Sequence, residues 1–288
     1  MAPPIIGIPS WRADCTFTAP GASAPGYPVT HLGLTPQAKV WRSASLNTID
    51  TRFVGTFSDT RKLGLIALLR HNLTKYATYR VRTFFDALRT ELVYDSGFLP
   101  VLPEVYDEDD PEADWDSGNL WDATYTDEEL VGTRLNRPLL IPDNPAAHAF
   151  EVEIVDLNNP AGYVEAGLCE PATARQFPIG VSFGSGYGFM SRSLVSEADG
   201  GVEYYEERDK PRLFQGELSH VSRETALSLF YELQRQQDVS KSFFFWLDPD
   251  DDLQLLRTAY LARLQQLDLI TIAATAHDRI PLSIKEVL

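Results

Sequence analysis

The sequence predicts a mainly β fold with a small α+β part, on three observations. Short runs that alternate apolar and polar residues recur along the chain, separated by Gly, Pro, Asn and Asp. One stretch, residues 222–237, carries a helical stripe. The 288 residues, 44% of them hydrophobic, suffice for one large domain or two ordinary ones.

Residues 1–37 are rich in Pro, Gly, Ala and Ser, with Trp11, Phe17 and Tyr27 spaced along them. This composition predicts an extended N-terminal arm with little secondary structure, suited to docking on its own domain or on a neighbouring subunit. Residues 38–57 read as two strands around a Leu46-Asn47-Thr48 turn, the second alternating Thr51, Phe53, Gly55 and Phe57 against Arg52, Val54 and Thr56. Residues 61–69 form a continuous apolar strand that runs into Arg70-His71-Asn72-Leu73. Residues 76–85 alternate at Tyr79, Val81 and Thr83, the mark of a half-buried strand. Residues 92–97 are a short strand with a turn. Many short strands with turns between them argue for a β-sandwich.

Residues 103–130 are an acidic insertion. Between Glu104 and Glu129 lie twelve acidic residues and no Lys or Arg, interleaved with Tyr106, Trp115, Trp121 and Tyr125. Asp107, Asp109, Asp114 and Asp116 mimic a calcium loop, but the order of Asp, Gly and closing Glu departs from the EF-hand pattern. The run reads as a long solvated insertion whose aromatic residues anchor on the sandwich.

Residues 149–154 alternate again, 156–162 make a turn, and 163–169 return as a strand. Gly184, Gly186 and Gly188 imitate a phosphate loop, but no helix follows at the right spacing, so 178–188 read as a bulged connection between domains. Residues 190–195 and 202–205 flank a hairpin-like turn, and 211–221 form another alternating strand. Ser222 is placed to cap the helix that follows, with Glu224 in the first turn where the dipole favours negative charge. Ala226, Leu229, Phe230 and Leu233 form its buried stripe. Residues 240–247 are aromatic and extended, a strand buried on both faces that Asp248-Pro249-Asp250 stops. Residues 253–267 fit either a helical stripe through Leu253, Leu256, Tyr260, Leu264 and Leu267 or a strand over 258–264. Residues 270–274 and 280–287 read as strands, the last with Ile280, Leu282, Ile284 and Glu286 on one face.

Net charge is −16, from 41 acidic and 25 basic residues, which argues against direct nucleic-acid binding because phosphates need a basic face. Two cysteines, Cys15 and Cys169, are too few for a disulfide framework or a self-contained zinc site and read as free thiols. The N-terminus lacks a basic segment followed by an apolar core, so no signal peptide is read, and no apolar run of about 18 residues predicts a membrane span. The chain reads as made and folded in a cytoplasm.

His31, His71, His148, His220 and His277 show no helical ligand spacing, and no nucleophile elbow, kinase set or Walker loop occurs. His71, at a strand end, reads as a turn-capping or core-edge residue rather than a general base, for want of a paired nucleophile. Carboxylate pairs for sugar cleavage have no discriminating signal among 41 acidic residues. No catalytic, cofactor or metal site is predicted.

Trp41-Arg42-Ser43 through Phe57, then His71-Asn72-Leu73, Tyr79-Arg80-Val81-Arg82 and the Asn158-Asn159-Pro160 turn resemble the galactose-binding-like β-sandwich of tailed-bacteriophage tail proteins. The stretch from Pro211 through Asp252, with 258–267 and 279–287, is similar to the terminal domain of distal-tail or baseplate proteins. The resemblance implies a galactose-binding-like sandwich over 38–180 and a tail-ring α+β domain over 181–288, and it favours a strand over 258–264. It implies a structural, non-catalytic ring in the virion that binds itself, the tail tube, the tape-measure protein and tail-tip or hub proteins. The competing reading is a carbohydrate-binding module for cell-surface glycan, with its site in the loops around His71 and the Trp115 and Trp121 insertion. On the ring reading, an acidic channel lining would let DNA pass without sticking.

Overall fold

The computed structural model describes residues 2–103, 124–130, 132–197 and 200–288. The expectations placed on Tyr106, Asp107, Asp109, Asp114, Trp115, Asp116 and Trp121 lie outside the described residues. In chain order the strands are β1 (Ile5–Ser10), β2 (Cys15–Thr18), β3 (Trp41–Arg42), β4 (Phe53–Lys62), β5 (Leu65–His71), β6 (Thr78–Phe84) and β7 (Leu92–Asp95). Then follow β8 (Leu99–Pro100), β9 (Asn136–Leu140), β10 (Ala146–Val155), β11 (Glu165–Gln176), β12 (Gly186–Phe189), β13 (Leu194–Glu197) and β14 (Glu203–Glu206). The last are β15 (Arg212–Ser222), β16 (Phe243–Trp246), β17 (Ala259–Leu264), β18 (Thr271–Ile272) and β19 (His277–Glu286). The fold is mainly β, as its alternating runs require.

The chain forms two compact units: Met1–Arg175 with Phe244–Tyr260, and Gln176–Phe243 with Leu261–Leu288. The first is a sandwich. One of its sheets runs β2-β4-β10-β6-β7, with β8 on β6; strands of the other follow the order β16-β1-β11-β5-β9, with β3 on β11. In β10, Phe150, Val152 and Ile154 point to the core and lie opposite Thr83, Val81 and Tyr79 of β6. Trp41, Phe53, Phe57 and Phe150 are fully buried, with Trp41 edge-on to Phe53 at 5.4 Å and Phe57 tilted against Phe150 at 5.8 Å. The outer face of β10 carries Glu151 and Glu153, which are covered by Arg52 and Arg82. Arg89 bonds Glu151 as well, at 2.8 Å. Period-2 patterning thus continues into an electrostatic layer, where each carboxylate is shielded by guanidinium groups whose stems pack flat.

The N-terminal segment differs from the extended arm that its composition suggests. Ile5–Ser10 is a strand of the sandwich, with β16 on one side and β11 on the other. Its register with β16 sets Ile5, Ile6 and Gly7 opposite Trp246, Phe245 and Phe244. A Cβ on Gly7 would stand 2.8 Å from Leu65 Cδ2 and 3.0 Å from Ala172 Cβ, so the strand fits here only because the residue has no side chain. Cys15–Thr18 forms an edge strand on β4. Between them, Arg12 pairs with the wholly buried Glu170 at 2.7 Å, and Ser10 also donates to that carboxylate. Trp11 donates its backbone N–H to Pro171 O at 2.8 Å, and the Arg61 guanidinium lies over its ring at 4.8 Å. Proline and glycine in this segment punctuate short strands; they do not keep it free of structure.

In the second unit, β12, β15, β19 and β17 follow one another across a sheet, with β18 also on β19, while β13 and β14 pair as a separate hairpin. Ser222 caps the helix as predicted, its Oγ accepting the Thr225 N–H at 3.2 Å. Ala226, Phe230 and Leu233 are buried, and Phe230 stands edge-on to Phe177 at 5.0 Å. Leu229 is only half-buried, because Ala226–Tyr231 is π-wound and its wider turn rotates that position off the stripe. Ile280, Leu282, Ile284 and Glu286 are buried on one face of β19, as the alternation predicts.

The aromatic strand Phe243–Trp246 is buried throughout, but Phe244, Phe245 and Trp246 pair with β1 of the first unit instead of scaffolding the 181–288 domain. The ambiguous 253–267 stretch contains both readings in succession, a helical turn at Leu255–Thr258 and then β17. The turn at Asp248 ties the N-terminus, its Oδ1 accepting from the Ala2 N–H at 2.9 Å.

Phe244→Ala empties a fully buried site and is expected to cost roughly 3–5 kcal/mol in chemical denaturation. Arg12→Ala is expected to cost a similar roughly 3–5 kcal/mol at neutral pH, because it strands a buried carboxylate. Burial already raises the Glu170 pKa against the lowering pull of Arg12 and Ser10, so losing Arg12 raises it further. A carboxyl with a raised folded pKa favours folding most when protonated, and that contribution is lost as pH rises through the folded pKa. The Arg12→Ala deficit should therefore shrink on acidification below neutral pH, when unfolding midpoints of variant and wild type are compared.

Candidate functional site

At one end of the sandwich, β5 finishes in His71 and the chain turns through Asn72, Leu73 and Thr74. His71 is buried, with Nδ1 accepting the Leu73 N–H at 3.3 Å and, among the described residues, Nε2 without a hydrogen-bond partner. Burial first, and then the charge of Arg137, pushes its pKa down to about 3. The buried imidazole itself offers little surface to a ligand; of the expected site in the loops around His71 and the Trp115 and Trp121 insertion, the insertion lies outside the described residues.

The neighbouring polar groups are spent on one another. Asn72 donates to Tyr163 O at 3.0 Å and accepts from Glu165 N at 2.7 Å. Asp156 accepts from the Thr74 hydroxyl at 2.6 Å and from Asn159 at 2.8 Å, and Asn159 also donates to Asn72 O at 3.0 Å. These bonds staple the 72–74 turn to the 156–163 turn, which explains why asparagines recur there. The second motif is equally structural: Tyr79 accepts from Arg137 at 3.0 Å, Val81 is core, Arg80 pairs with Asp95, and Arg82 pairs with Glu151.

What the staple holds is a half-buried rung with no local sequence signature. Arg42 of β3 is the cross-strand neighbour of Glu165 of β11, and its Nε donates to Glu165 Oε2 at 2.6 Å. The guanidinium lies 4.1 Å from the Tyr27 ring and 4.9 Å from the Tyr163 ring. Backbone bonds fix both flanks, Ala24 N to Arg42 O at 2.9 Å and Arg42 N to Tyr27 O at 3.2 Å. Among the described residues the Arg42 Nη groups take no hydrogen bond. The side chains of Arg42 and Glu165 are 29% and 20% exposed, so the rung is reachable yet held. It offers aromatic surface, guanidinium donors and carboxylate acceptors, a set that suits a neutral, hydroxyl-rich ring. Tyr27 was visible in sequence as a spaced aromatic, but no spacing rule links residues 27, 42, 163 and 165, which only the pairing of β3 with β11 brings together.

Among the described residues no group of three or more His, Cys, Asp or Glu is arranged to hold a metal ion. Cys15 and Cys169 are free thiols, and burial raises both, Cys15 to about 12. The 186–189 glycine stretch is strand β12 paired with β15, and no helix follows it.

No family model matches the chain, and no curated protein does. Among solved structures it is similar to the family 32 carbohydrate-binding module of NanJ from Clostridium perfringens, solved with galactose, at 12% identity and a TM-score of 0.37, covering 59% of this chain and 99% of that one. A fucose-binding module of Streptococcus pneumoniae matches at 11% identity and a TM-score of 0.34, covering 55% of this chain and 89% of that one. A family 89 glycoside hydrolase of Clostridium perfringens matches at 12% identity and a TM-score of 0.38 over 56% of this chain, which spans only 14% of that enzyme.

The depressed His71 pKa has a consequence for stability. Protonation favours the unfolded chain at pH values below the ordinary value of 6.5, so the stability present above that pH is lost progressively as pH falls toward about 3. One such proton corresponds to a slope of about 1.4 kcal/mol per pH unit. His71→Gln should flatten the pH dependence of the urea midpoint between about pH 6 and pH 4, whereas an unchanged slope would remove His71 from the account.

Proposed function

We propose that the chain is a non-catalytic binding protein whose sandwich engages glycan at the Tyr27–Arg42–Tyr163–Glu165 rung. The observation that carries this reading is the held, partly accessible guanidinium between two tyrosine rings, with Nη donors that take no hydrogen bond among the described residues and a carboxylate beside it. Sugar rings stack on aromatic surface through their C–H faces and pair their hydroxyls with charged groups, and a preordered site avoids the entropy cost of assembling one. Nothing in the rung pairs a nucleophile with a base, which fits retention of a ligand and not its cleavage.

A second reading keeps the structural role in a phage tail: a ring at the distal end in the virion, with itself, the tube, the tape-measure protein and the tip or hub as partners. One observation favours it. Phe183, Tyr187, Phe189, Leu194, Val195, Val202, Tyr204 and Tyr205 are all at least half exposed within residues 183–205, and apolar side chains left open in such number suit a surface that meets a partner.

A glycan array probed with the full chain, followed by calorimetry on the best ligand, tests the first reading. Arg42→Ala should weaken binding about 10-fold or more, the effect of losing charge-assisted hydrogen bonds, in a variant that circular dichroism shows to be folded. Absence of saturable binding by any glycan, or full binding by Arg42→Ala, would sink it.

A further inference from the structure

Like charges placed directly opposite each other on neighbouring strands repel. The second unit carries such a rung of each sign. On the hairpin, Glu197 of β13 is the register partner of Glu203 of β14. On the sheet, Arg263 of β17 is the register partner of Lys285 of β19. Arg192, in the loop before β13, is close enough to Lys285 to depress its pKa, together with Arg263 and after the larger effect of burial. Among the described residues, Arg192, Arg263 and Lys285 take no ion pair, in a chain whose net charge is −16. Most other arginines of this acidic protein that have a described ion pair sit against a carboxylate, as Arg212 does with Glu286 at 2.6 Å and Arg279 with Glu217 at 2.9 Å.

The surroundings of the two rungs are complementary as well. Alternation puts Val195 and Tyr205, themselves register partners, on the same hairpin face as Glu197 and Glu203. Both are exposed, and the Tyr205 hydroxyl donates to Glu203 and so orients that carboxylate. Lys285 lies on the face of β19 opposite to the buried Ile284 and Glu286, with Leu213 of β15 as its neighbour on the other side. Gly186 and Gly188 of β12 share that open face, where an added Cβ would meet nothing within 4 Å. Opposed residues on paired strands stand about 5 Å apart at Cβ, so two carboxylates at that spacing face two cations at the same spacing, each pair bordered by apolar surface.

We propose that the Glu197–Glu203 rung of one copy docks on the Arg263–Lys285 rung of a second copy, so that the chain self-associates head to tail through its second unit. The occupant is a second copy because the matching rung of opposite sign is part of this chain, and because each rung is destabilising until it meets the other. Tyr205 and Val195 then pack against Leu213, and Arg192 adds a further cation at the margin. The contact joins different patches on the two copies, so it is heterologous and generates a closed ring or an open filament. It stands whether or not the sandwich binds sugar.

Sedimentation velocity of the full chain, at concentrations up to about 100 µM, a range that detects Kd values in the micromolar decade, tests the proposal with charge reversals at the two rungs. Wild type should associate with rising concentration. Glu197→Lys with Glu203→Lys should be monomeric, and so should Arg263→Glu with Lys285→Glu. Mixing those two double variants should restore association, because each supplies the rung that the other now needs, and the chain carrying all of the reversals should associate by itself. Circular dichroism confirms that each variant is folded. A wild type that stays monomeric throughout, association that survives either double reversal, or folded double variants that fail to associate when mixed would each overturn the proposal.

Discussion

A carboxylate cut off from water must be paired within the protein, and among the described residues Glu170 finds its partners in the N-terminal segment. Ser10 at the end of β1 and Arg12 just after it reach it from more than 150 residues away in sequence. This pairing lets an interior strand of the sandwich bear an acidic residue at all, and it holds residues 2–18 inside the fold. Because β1 lies between β11 and β16, the same constraint draws Phe244–Trp246 into the sandwich. The first unit is therefore assembled from two stretches far apart in sequence, Met1–Arg175 and Phe244–Tyr260.

Much of the architecture was legible because strand alternation is a local signal. The runs around Phe53, Leu65, Val81, Phe150 and Ile284 each fall in a strand whose apolar positions are buried. The helix cap at Ser222 was legible for the same reason, since a cap needs only neighbours in sequence. The N-terminal segment misled because Pro and Gly describe local conformation and say nothing about a distant strand whose shape requires Gly7. Where the chain crosses between units was hidden too, since the burial of Phe243–Trp246 on both faces is equally consistent with either sheet. Leu229 shows a subtler limit: its stripe was right for an α-helix, and the backbone is π-wound there.

The candidate rung was harder to see than the fold, for a physical reason. His71, Asn72 and Asn159 stand out in sequence as polar residues between apolar strands, yet His71 is buried and the two asparagines spend their amides on the turns they hold. Polar residues that draw the eye at strand ends are often those that turns need for their own hydrogen bonds. Arg42 is ordinary in sequence. Its environment comes from β3 pairing with β11 and from a loop that brings Tyr27 over it. The asparagine staple is then the support of the rung, because it fixes the Tyr163 carbonyl and the Glu165 amide from the same side chain.

The two proposed surfaces belong to different units, and that division matters energetically. A small exposed site such as the Arg42 rung buries little of a sugar, and single-site affinities of that kind are weak. Head-to-tail assembly through the second unit repeats the rung once per copy without altering it. When several rungs meet one glycan-bearing surface, each contact after the first is made at a high effective concentration, and the assembly binds far more tightly than the single site. The charge pattern supports this order of events. With a net charge of −16, copies repel at long range, and on the proposed contact association would depend on the local meeting of Arg263 and Lys285 with Glu197 and Glu203. Long-range repulsion with one local attraction disfavours indiscriminate clustering and leaves a single contact geometry, which is the condition for a regular array of weak sites to act together.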